Sequence, residues 1–465
     1  MKQSKILILT EGGTKIGYGH ITRCSALYDG LQKRGLDVKF IINGDDQVKK
    51  VLFNKNYKII DWRNEKYLDS LDLEDKIIII DSYISSQNTY DYISKKAKVV
   101  VYLDDNNRLD YKNGILLNYG IYAKKLKYNI LEFKKLLGMK YSVLREPFLE
   151  CKVKKNKENI QNILITLGGS DVLNLTPRIL KILNVKYKDF NKNVIIGNGF
   201  KNTEEIKMIK GERVKLYYNL DAKQMKEQME ISDLVISSGG STLYELMAVG
   251  VPTIAIKVAE NQERNIEYFK KEGIIIGLNE FNEKILNEKI EEIKEIKIRK
   301  IMSKKGQEKI DGFGVKRIID VIEKNNFYLR RANMEDIKKV YELSNSDYVR
   351  KYSINKEKIE WDNHIKWYNE VLENPDKILY IVENNNGEFC GQVRFDLGET
   401  KNIISISLSK KIKGKGMSKW IVDRALREID REMGIKKVTA YILDDNVASK
   451  KVFGNFEGKI DIFFW

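Results

Sequence analysis

Three times the chain sets a run of aliphatic residues directly against a glycine turn: "KILILTEGG" (5–13), "NILITLGGSD" (162–171) and "DLVISSGGSTLYEL" (233–246). Continuous apolar runs of this kind read as strands buried on both faces, hence as parallel sheets covered by helices. Further runs of the same texture follow the first, "DVKFII" (37–42), "KIIIID" (76–81) and "KVVVYLDD" (98–105), and a helix is expected over 20–34, ending near Gly35. The segment "KYSVLREPFLE" (140–150), with Pro147 and a lysine-rich stretch at 152–157 behind it, reads as a linker. The pattern then restarts: "NVIIGNG" (193–199), "RVKLYYN" (213–219) and "TIAI" (253–256) are strands, and both later glycine turns are expected to open helices. Alternation of this sort predicts two consecutive α/β halves.

A charged helical stretch, 281–325, closes the second half and leads into a different texture. "FYLRRANMEDIKKVYEL" (327–343) is a strand and an amphipathic helix; 378–397 is a hairpin around Asn386–Gly387. "IISISLSKKIKGKGMSKWIVDRALREI" (403–429) is strand, basic glycine loop and helix, and "KKVTAYIL" (436–443) is the last clear strand. A chain of 465 residues has the length of about three domains. The expected boundaries are 1–150, 151–324 and 325–465.

The formal charge of +17 suits nucleic acid, an anionic membrane surface or anionic small ligands. Lysines are spread along the whole chain, with no arginine-rich arm and no zinc-finger spacing, so nucleic acid is not expected as a partner. Apolar runs such as "IIII" (77–80) fall far short of the roughly 20 residues of a membrane span. The start, "MKQSKILILTEGG", reads as a first strand and not as a signal peptide. Cys24, Cys151 and Cys390 lack paired spacing, which points to a reducing cytoplasm and away from disulfides or zinc. No compact carboxylate cluster calls for a metal.

In open α/β sheets ligands lie beyond the carboxyl ends of the strands. There Gly239 and Gly240 allow close backbone approach, Ser241 or Thr242 can cap the following helix, and Glu245 falls in its first turn. Free amides and the helix dipole suit a diphosphate; a plain strand-to-helix turn would look the same. Gly168 and Gly169 repeat the logic, and the polar "AENQERN" (259–265) emerges beside the same crevice. His20, one of two histidines, stands at a helix start beyond the end of the first strand. A helix N-terminus disfavours the imidazolium, which suits a general base activating water; capping its own helix, or bonding a loop carbonyl, is the other reading.

"IGYGHITRCSALYDGL" (16–31) resembles the signature of the UDP-sugar hydrolases of pseudaminic acid biosynthesis, a Gly-x-Gly-His-x-x-Arg-Cys start. "IDSY" (80–83), "LDDNNR" (103–108), "YSVLREPF" (141–148), "TLGGSD" (166–171), "SSGGSTLYEL" (237–246) and "AENQ" (259–262) continue the likeness in order, over roughly residues 1–290. The resemblance implies two Rossmann-like domains of the glycosyltransferase B type, and water attack that releases UDP from a 2,4-diacetamido-2,4,6-trideoxy sugar. It implies that His20 positions or deprotonates the water, that Tyr83 bonds the sugar or the leaving phosphate, and that Asn261 holds substrate. Gly17, Gly19, Gly168, Gly169, Ser238, Gly239, Gly240, Ser241, Thr242 and Gln262 would line the UDP-sugar, with Glu245 on the ribose. Arg23 either pairs with phosphate or braces its helix; Asp81, Asp104 and Asp105 either orient the site or cap loops.

"KKIKGKGMSKWIV" (410–422) resembles the acetyl-CoA loop of the GNAT acetyltransferases, with Lys411 where that family has Gln or Arg. "NVASKKVFGNF" (446–456) resembles the helix under that cofactor. The implied fold is a mixed α/β GNAT domain, and the implied co-substrate is acetyl-CoA, held by Leu408, Lys413, Gly414, Lys415, Gly416, Met417, Ser418, Asn446 and Ser449. His364, in "HIKWY", would face an amino-sugar substrate. Phe453 stands where many relatives have a tyrosine acid, which leaves Tyr441 or another group for that task. The implied partners are therefore small anionic molecules, UDP-amino sugars and acetyl-CoA.

Overall fold

The computed structural model describes residues 5–14, 16–74, 76–128, 134–201, 203–209, 211–324, 327–384, 387–412 and 417–464. Two compact units make up the chain, Met1–Ile319 and Asp320–Trp465.

Among the described residues the first unit holds two parallel sheets. The first contains β1 (Ile6–Gly12), β2 (Val38–Gly44), β3 (Tyr57–Ile59), β4 (Ile77–Asp81), β5 (Val99–Leu103), β6 (Ile115–Asn118) and β7 (Lys134–Leu137), in the order β3-β2-β1-β4-β5-β6-β7. The second contains β8 (Asn162–Thr166), β9 (Asn191–Ile196), β10 (Val214–Tyr218), β11 (Leu234–Ser238), β12 (Thr253–Ile256) and β13 (Ile276–Leu278), in the order β10-β9-β8-β11-β12-β13. Every residue of β1 is buried, which is why its sequence shows no polar alternation. In both sheets the direction in which strands are added reverses once, between β1 and β4 and between β8 and β11. At such a point the two following loops part to opposite faces and leave a crevice.

The helix Gly19–Lys33 turns Ile21, Cys24, Leu27, Tyr28 and Leu31 inward. Gly35, at φ +74°, follows its end. Gly30 is required by contact: a Cβ there would lie 2.6 Å from Val315 Cγ1 and 2.7 Å from Ile319 Cδ1. Val315 and Ile319, in the first turns of the helix that starts at Gly314, thus pack against the helix that begins at Gly19.

The stretch 140–150 is packed, with Leu144 (2% exposed) and Phe148 (1%) in an apolar cluster made mostly of second-half residues. Two expectations need correction. The turn at Gly168–Gly169 does not open a helix directly: the helix begins at Leu175, where Asp171 accepts the amides of Leu175 and Thr176. "KKVTAYIL" is not the last strand, since Ile460–Phe464 pairs in parallel with it.

Among the described residues the second unit is one six-stranded sheet in simple order: β14 (Phe327–Arg331), β15 (Lys377–Asn384), β16 (Phe389–Asp396), β17 (Ile403–Leu408), β18 (Val438–Ile442) and β19 (Ile460–Phe464). The period-2 pattern of β15 serves both faces. Ile378, Tyr380 and Val382 pack with the helix Met417–Met433, while Leu379 and Ile381 pack with Val340, Tyr368 and Val371 of the helices Ile337–Ser344 and Trp361–Glu373. β14 to β17 are antiparallel. β17 and β18 run parallel and are paired only at Ile403↔Thr439, so the rest of β17 diverges from its neighbour.

Candidate active site

Asp81 closes β4 and is completely buried. A lone carboxylate there would be costly, and three residues of one helix satisfy it. His20, Arg23 and Cys24 share a helical face because they are three and four residues apart. His20 Nδ1 lies 2.7 Å from Asp81 Oδ1. Arg23 donates from Nε to Oδ2 (2.6 Å) and from Nη2 to Oδ1 (2.5 Å). Cys24 Sγ donates to Oδ2 at 3.4 Å. A carboxylate only accepts, so His20 Nδ1 carries its proton toward Asp81, and in the neutral ring Nε2 presents a lone pair. Burial alone would raise the Asp81 carboxyl, but Arg23 and His20 hold it well below the usual carboxylate range. Burial, with Asp81 beside it, pushes the Cys24 thiol up, so Cys24 is a protonated structural donor.

Arg23 also places Nη1 on Asp105, 2.8 Å from Oδ2 and 3.1 Å from Oδ1. Its side chain is 10% exposed and divided between two carboxylates, the geometry of a brace for its helix. Tyr83 hydroxyl donates to Asp105, and its ring stands edge-on to His20, with centroids 4.5 Å apart at 89°. Burial and Asp105 push the Tyr83 phenol far above its ordinary value. The three acidic residues divide. Asp81 and Asp105 orient site residues, whereas Asp104 caps its loop, accepting from the amides of Asn107 and Arg108 and from the hydroxyls of Tyr111 and Tyr128. Glu11, which sequence reasoning passed over, is fully buried at the end of β1 and accepts from Ser82 hydroxyl and the Tyr83 amide.

In the second half the two glycine turns sit side by side across the β8/β11 reversal. A Cβ added at Gly168 would lie 3.7 Å from Ser238 Oγ, and one at Gly240 3.9 Å from the same atom. A Cβ at Gly169 would lie 3.9 Å from Tyr18 Cδ2, so this turn faces the loop leading to His20. That loop holds Gly17 and ends where Gly19 begins the helix. Gly239 is required by packing: a side chain would strike Ile266 at 2.6 Å and Gln262 Cβ at 2.9 Å. Gln262 Oε1 accepts the amides of Gly239 (3.0 Å) and Val258 (3.1 Å), so this side chain braces the turn from within. Asn261, its neighbour in a single 3-10 turn, is exposed. The helix starts at Thr242; Ser241 holds the cap position without a side-chain cap bond. Among the described residues the amides of Gly240, Ser241 and Thr242 have no acceptor. Glu245 is held bidentately by Arg145, at 2.6 and 2.7 Å. Any ribose contact by Glu245 therefore competes with a formed ion pair.

In the second unit Lys413, Gly414, Lys415 and Gly416 lie outside the described residues. Leu408 carbonyl accepts from Tyr348 hydroxyl at 3.0 Å, at the end of β17. Met417 turns into the core, 2% exposed, and Ser418 follows it in the helix. Asn446 caps the helix Val447–Phe453, taking the Ser449 amide at 3.1 Å. Tyr441 packs its ring 5.7 Å from that of Phe463. Phe453 is a core residue, 4% exposed. His364 corrects an expectation: it is 0% exposed, with Nε2 2.9 Å from Ile337 carbonyl and rings of Tyr341, Trp361, Trp367 and Tyr368 around it. A side chain enclosed in this way does not meet a substrate.

Among the described residues no group of three or more His, Cys, Asp or Glu side chains is placed to hold a metal ion, and no helix is long and apolar enough to cross a membrane.

Residues 143–321 match the glycosyltransferase family 28 C-terminal domain, and residues 326–457 match the acetyltransferase (GNAT) domain. With the sheet orders, these matches define the class: a fold of the glycosyltransferase B type followed by a GNAT domain. An uncharacterized protein of Methanocaldococcus jannaschii is 30% identical over 480 residues, which take in 97% of this chain and 95% of that one, and the chain belongs to the family of that protein. The UDP-2,4-diacetamido-2,4,6-trideoxy-beta-L-altropyranose hydrolase of Campylobacter jejuni is 25% identical, over 58% of this chain and 97% of its own. A Clostridium perfringens transferase that joins N-acetylglucosamine to a pyrophosphoryl-undecaprenol acceptor is 28% identical, over 70% of this chain and 99% of its own.

Proposed function

We propose that the chain hydrolyses a UDP-linked 2,4-diacetamido-2,4,6-trideoxyhexose to UDP and free sugar, and that its GNAT domain makes the second acetamide. The observation that carries the hydrolase reading is the hydrogen bond from His20 Nδ1 to the buried Asp81, which leaves Nε2 as a fixed lone pair. Water held by His20 Nε2 attacks the anomeric carbon. Its oxygen bonds to that carbon as the bond to the diphosphate oxygen breaks, and the electron pair leaves with UDP. The water proton passes to Nε2, and Asp81 stabilises the imidazolium that forms. Amides of Gly240, Ser241 and Thr242 receive the departing negative charge. Tyr83, its own proton engaged by Asp105, accepts a hydrogen bond from a donor group of the sugar. Asn261 contacts substrate from the second half.

In this reading residues 1–150 supply the base and residues 151–324 bind UDP. Residues 325–465 transfer an acetyl group from the thioester of acetyl-CoA to the 4-amino group of the precursor. The part of β17 that diverges from β18 and the basic residues that follow it in sequence bind the cofactor. Tyr441 returns a proton to the thiolate in place of Phe453. The protein would act in the cytoplasm.

The similarity to the Clostridium perfringens transferase favours a second reading, passage of the sugar to an acceptor. Incubation with the diacetamido UDP-sugar and no acceptor separates the two. Equal amounts of UDP and free sugar by mass spectrometry support hydrolysis; turnover that begins only when an acceptor is added overturns it. Consumption of acetyl-CoA with the 4-amino UDP-sugar tests the second activity in the same way.

A further inference from the structure

We propose that Glu11 is a positioning residue, fixing Tyr83 against His20; its effect on turnover rests on the hydrolase reading above. Glu11 is the sixth residue of a strand buried along its whole length, and none of its surface is exposed. A carboxylate is a poor filler for such a position, where an apolar residue of like size would avoid the desolvation cost. What the carboxylate does there is specific. β1 and β4 are in parallel register up to Thr10↔Asp81, so Glu11 comes level with the first residues of the loop that leaves β4. One oxygen accepts from Ser82 hydroxyl, and the other accepts the Tyr83 amide at 2.7 Å. Ser82 Oγ in turn accepts the Ser85 amide at 3.0 Å. The loop is thus pinned from below at successive residues, just where Tyr83 turns its ring edge-on to His20 and its hydroxyl to Asp105. Asp81 sets the His20 ring from one side, and Glu11 sets, through Tyr83, the ring that borders it on the other.

The test uses the full chain with 13C-labelled histidine. Only His20 and His364 contribute ring signals, and a His364→Leu variant assigns them. The ring current of Tyr83 displaces the His20 signal. Glu11→Ala should move that signal toward its place in Tyr83→Ala while leaving His364 unmoved, which reports an intact fold in the other unit. Glu11→Gln keeps a carbonyl acceptor for the Tyr83 amide and should hold the signal near wild type. In UDP release, Glu11→Ala should lower kcat about 100-fold, the scale of a misplacement near 1 Å, with little change in KM. In a Tyr83→Ala background the same substitution should change kcat by no more than about twofold, because coupled residues are not additive. An unmoved His20 signal in a folded Glu11→Ala protein, or equal losses in both backgrounds, overturns the proposal. If wild type releases no UDP while the His20 signal still moves, the hydrolase reading falls and the positioning role stands.

Discussion

His20 and His364 are the chain's two imidazoles, and each has one ring nitrogen engaged at nearly the same distance, 2.7 Å and 2.9 Å. Their partners differ in kind. Asp81 is a buried carboxylate that can stabilise positive charge on the ring it holds; Ile337 offers a neutral carbonyl. Their second nitrogens differ too. His20 keeps 11% of its side chain exposed, and the loop before it faces Gly169 of the second half. His364 Nδ1 is buried without a partner. Around His20 lie Arg23, Asp105 and Tyr83, all hydrogen-bonded; around His364 lie aromatic rings. One ring is held by a carboxylate with part of its surface open, and the other is held as a flat apolar body with a single polar contact. The residue type carries no role by itself; the charge of the first partner and the access of the second nitrogen assign it.

The largest expected effect breaks the comparison at its chemical end. His20→Ala should lower UDP release about 1000-fold, within the range for a lost general base, and leave acetyl-CoA consumption unchanged. Equal loss of both activities with intact folding would refute separate sites. Asp81→Asn should follow, with a loss of about 100-fold or more, because an amide no longer selects the tautomer with Nε2 free. It should also lower stability by about 3 kcal/mol, since Arg23 loses half of its buried countercharge. A thermal melt beside the rate assay separates the two consequences. If Asp81→Asn melts early yet turns over normally, the carboxylate serves the fold and not the base.

The parts of this arrangement readable in the sequence are those with local signals. Apolar runs ending in glycine turns place β1, β8 and β11, and the spacing of His20, Arg23 and Cys24 puts them on one helical face. β3, with three residues, and β7, with exposed Lys134 and Lys135, carry too little apolar pattern to stand out. β19 offers only one buried residue, Ile460. The sequence leaves the partner of His20 open, because Asp81 is 61 residues away and strand-end aspartates usually cap loops, as Asp104 does. Glu11 gave no signal at all, since a buried carboxylate is recognisable only once its donors are in place. His364 misled for the opposite reason: its aromatic neighbours are close in sequence and read equally as a binding site or a core, and only burial decides between them.

His364→Leu sharpens the other end of the comparison. Both activities should be unchanged, while unfolding in urea should show a loss of about 1–3 kcal/mol for leaving Ile337 carbonyl without its donor. Tryptophan fluorescence reports on the site, because Trp361 and Trp367 flank the ring.

The smallest effect is the one in pH. Burial lowers the His364 pKa below its ordinary 6.5, against a weaker opposing contribution from the bond to Ile337. Below 6.5 the unfolded chain therefore takes up a proton that the folded chain refuses. Stability from this residue is complete above about pH 6.5 and is lost as pH falls toward the folded value, by at most about 1.4 kcal/mol per pH unit. Asp81 contributes in a separate window: held below its ordinary value of 3.8, it supplies stability that is present above that value and is lost only in strong acid. Unfolding measured between pH 7 and 5 thus reads the histidine and not the aspartate. In His364→Leu the slope over that window should flatten relative to wild type. If the slope is the same in both proteins, acid sensitivity arises elsewhere, and the contrast between a carboxylate-held imidazole and an enclosed one loses its thermodynamic half.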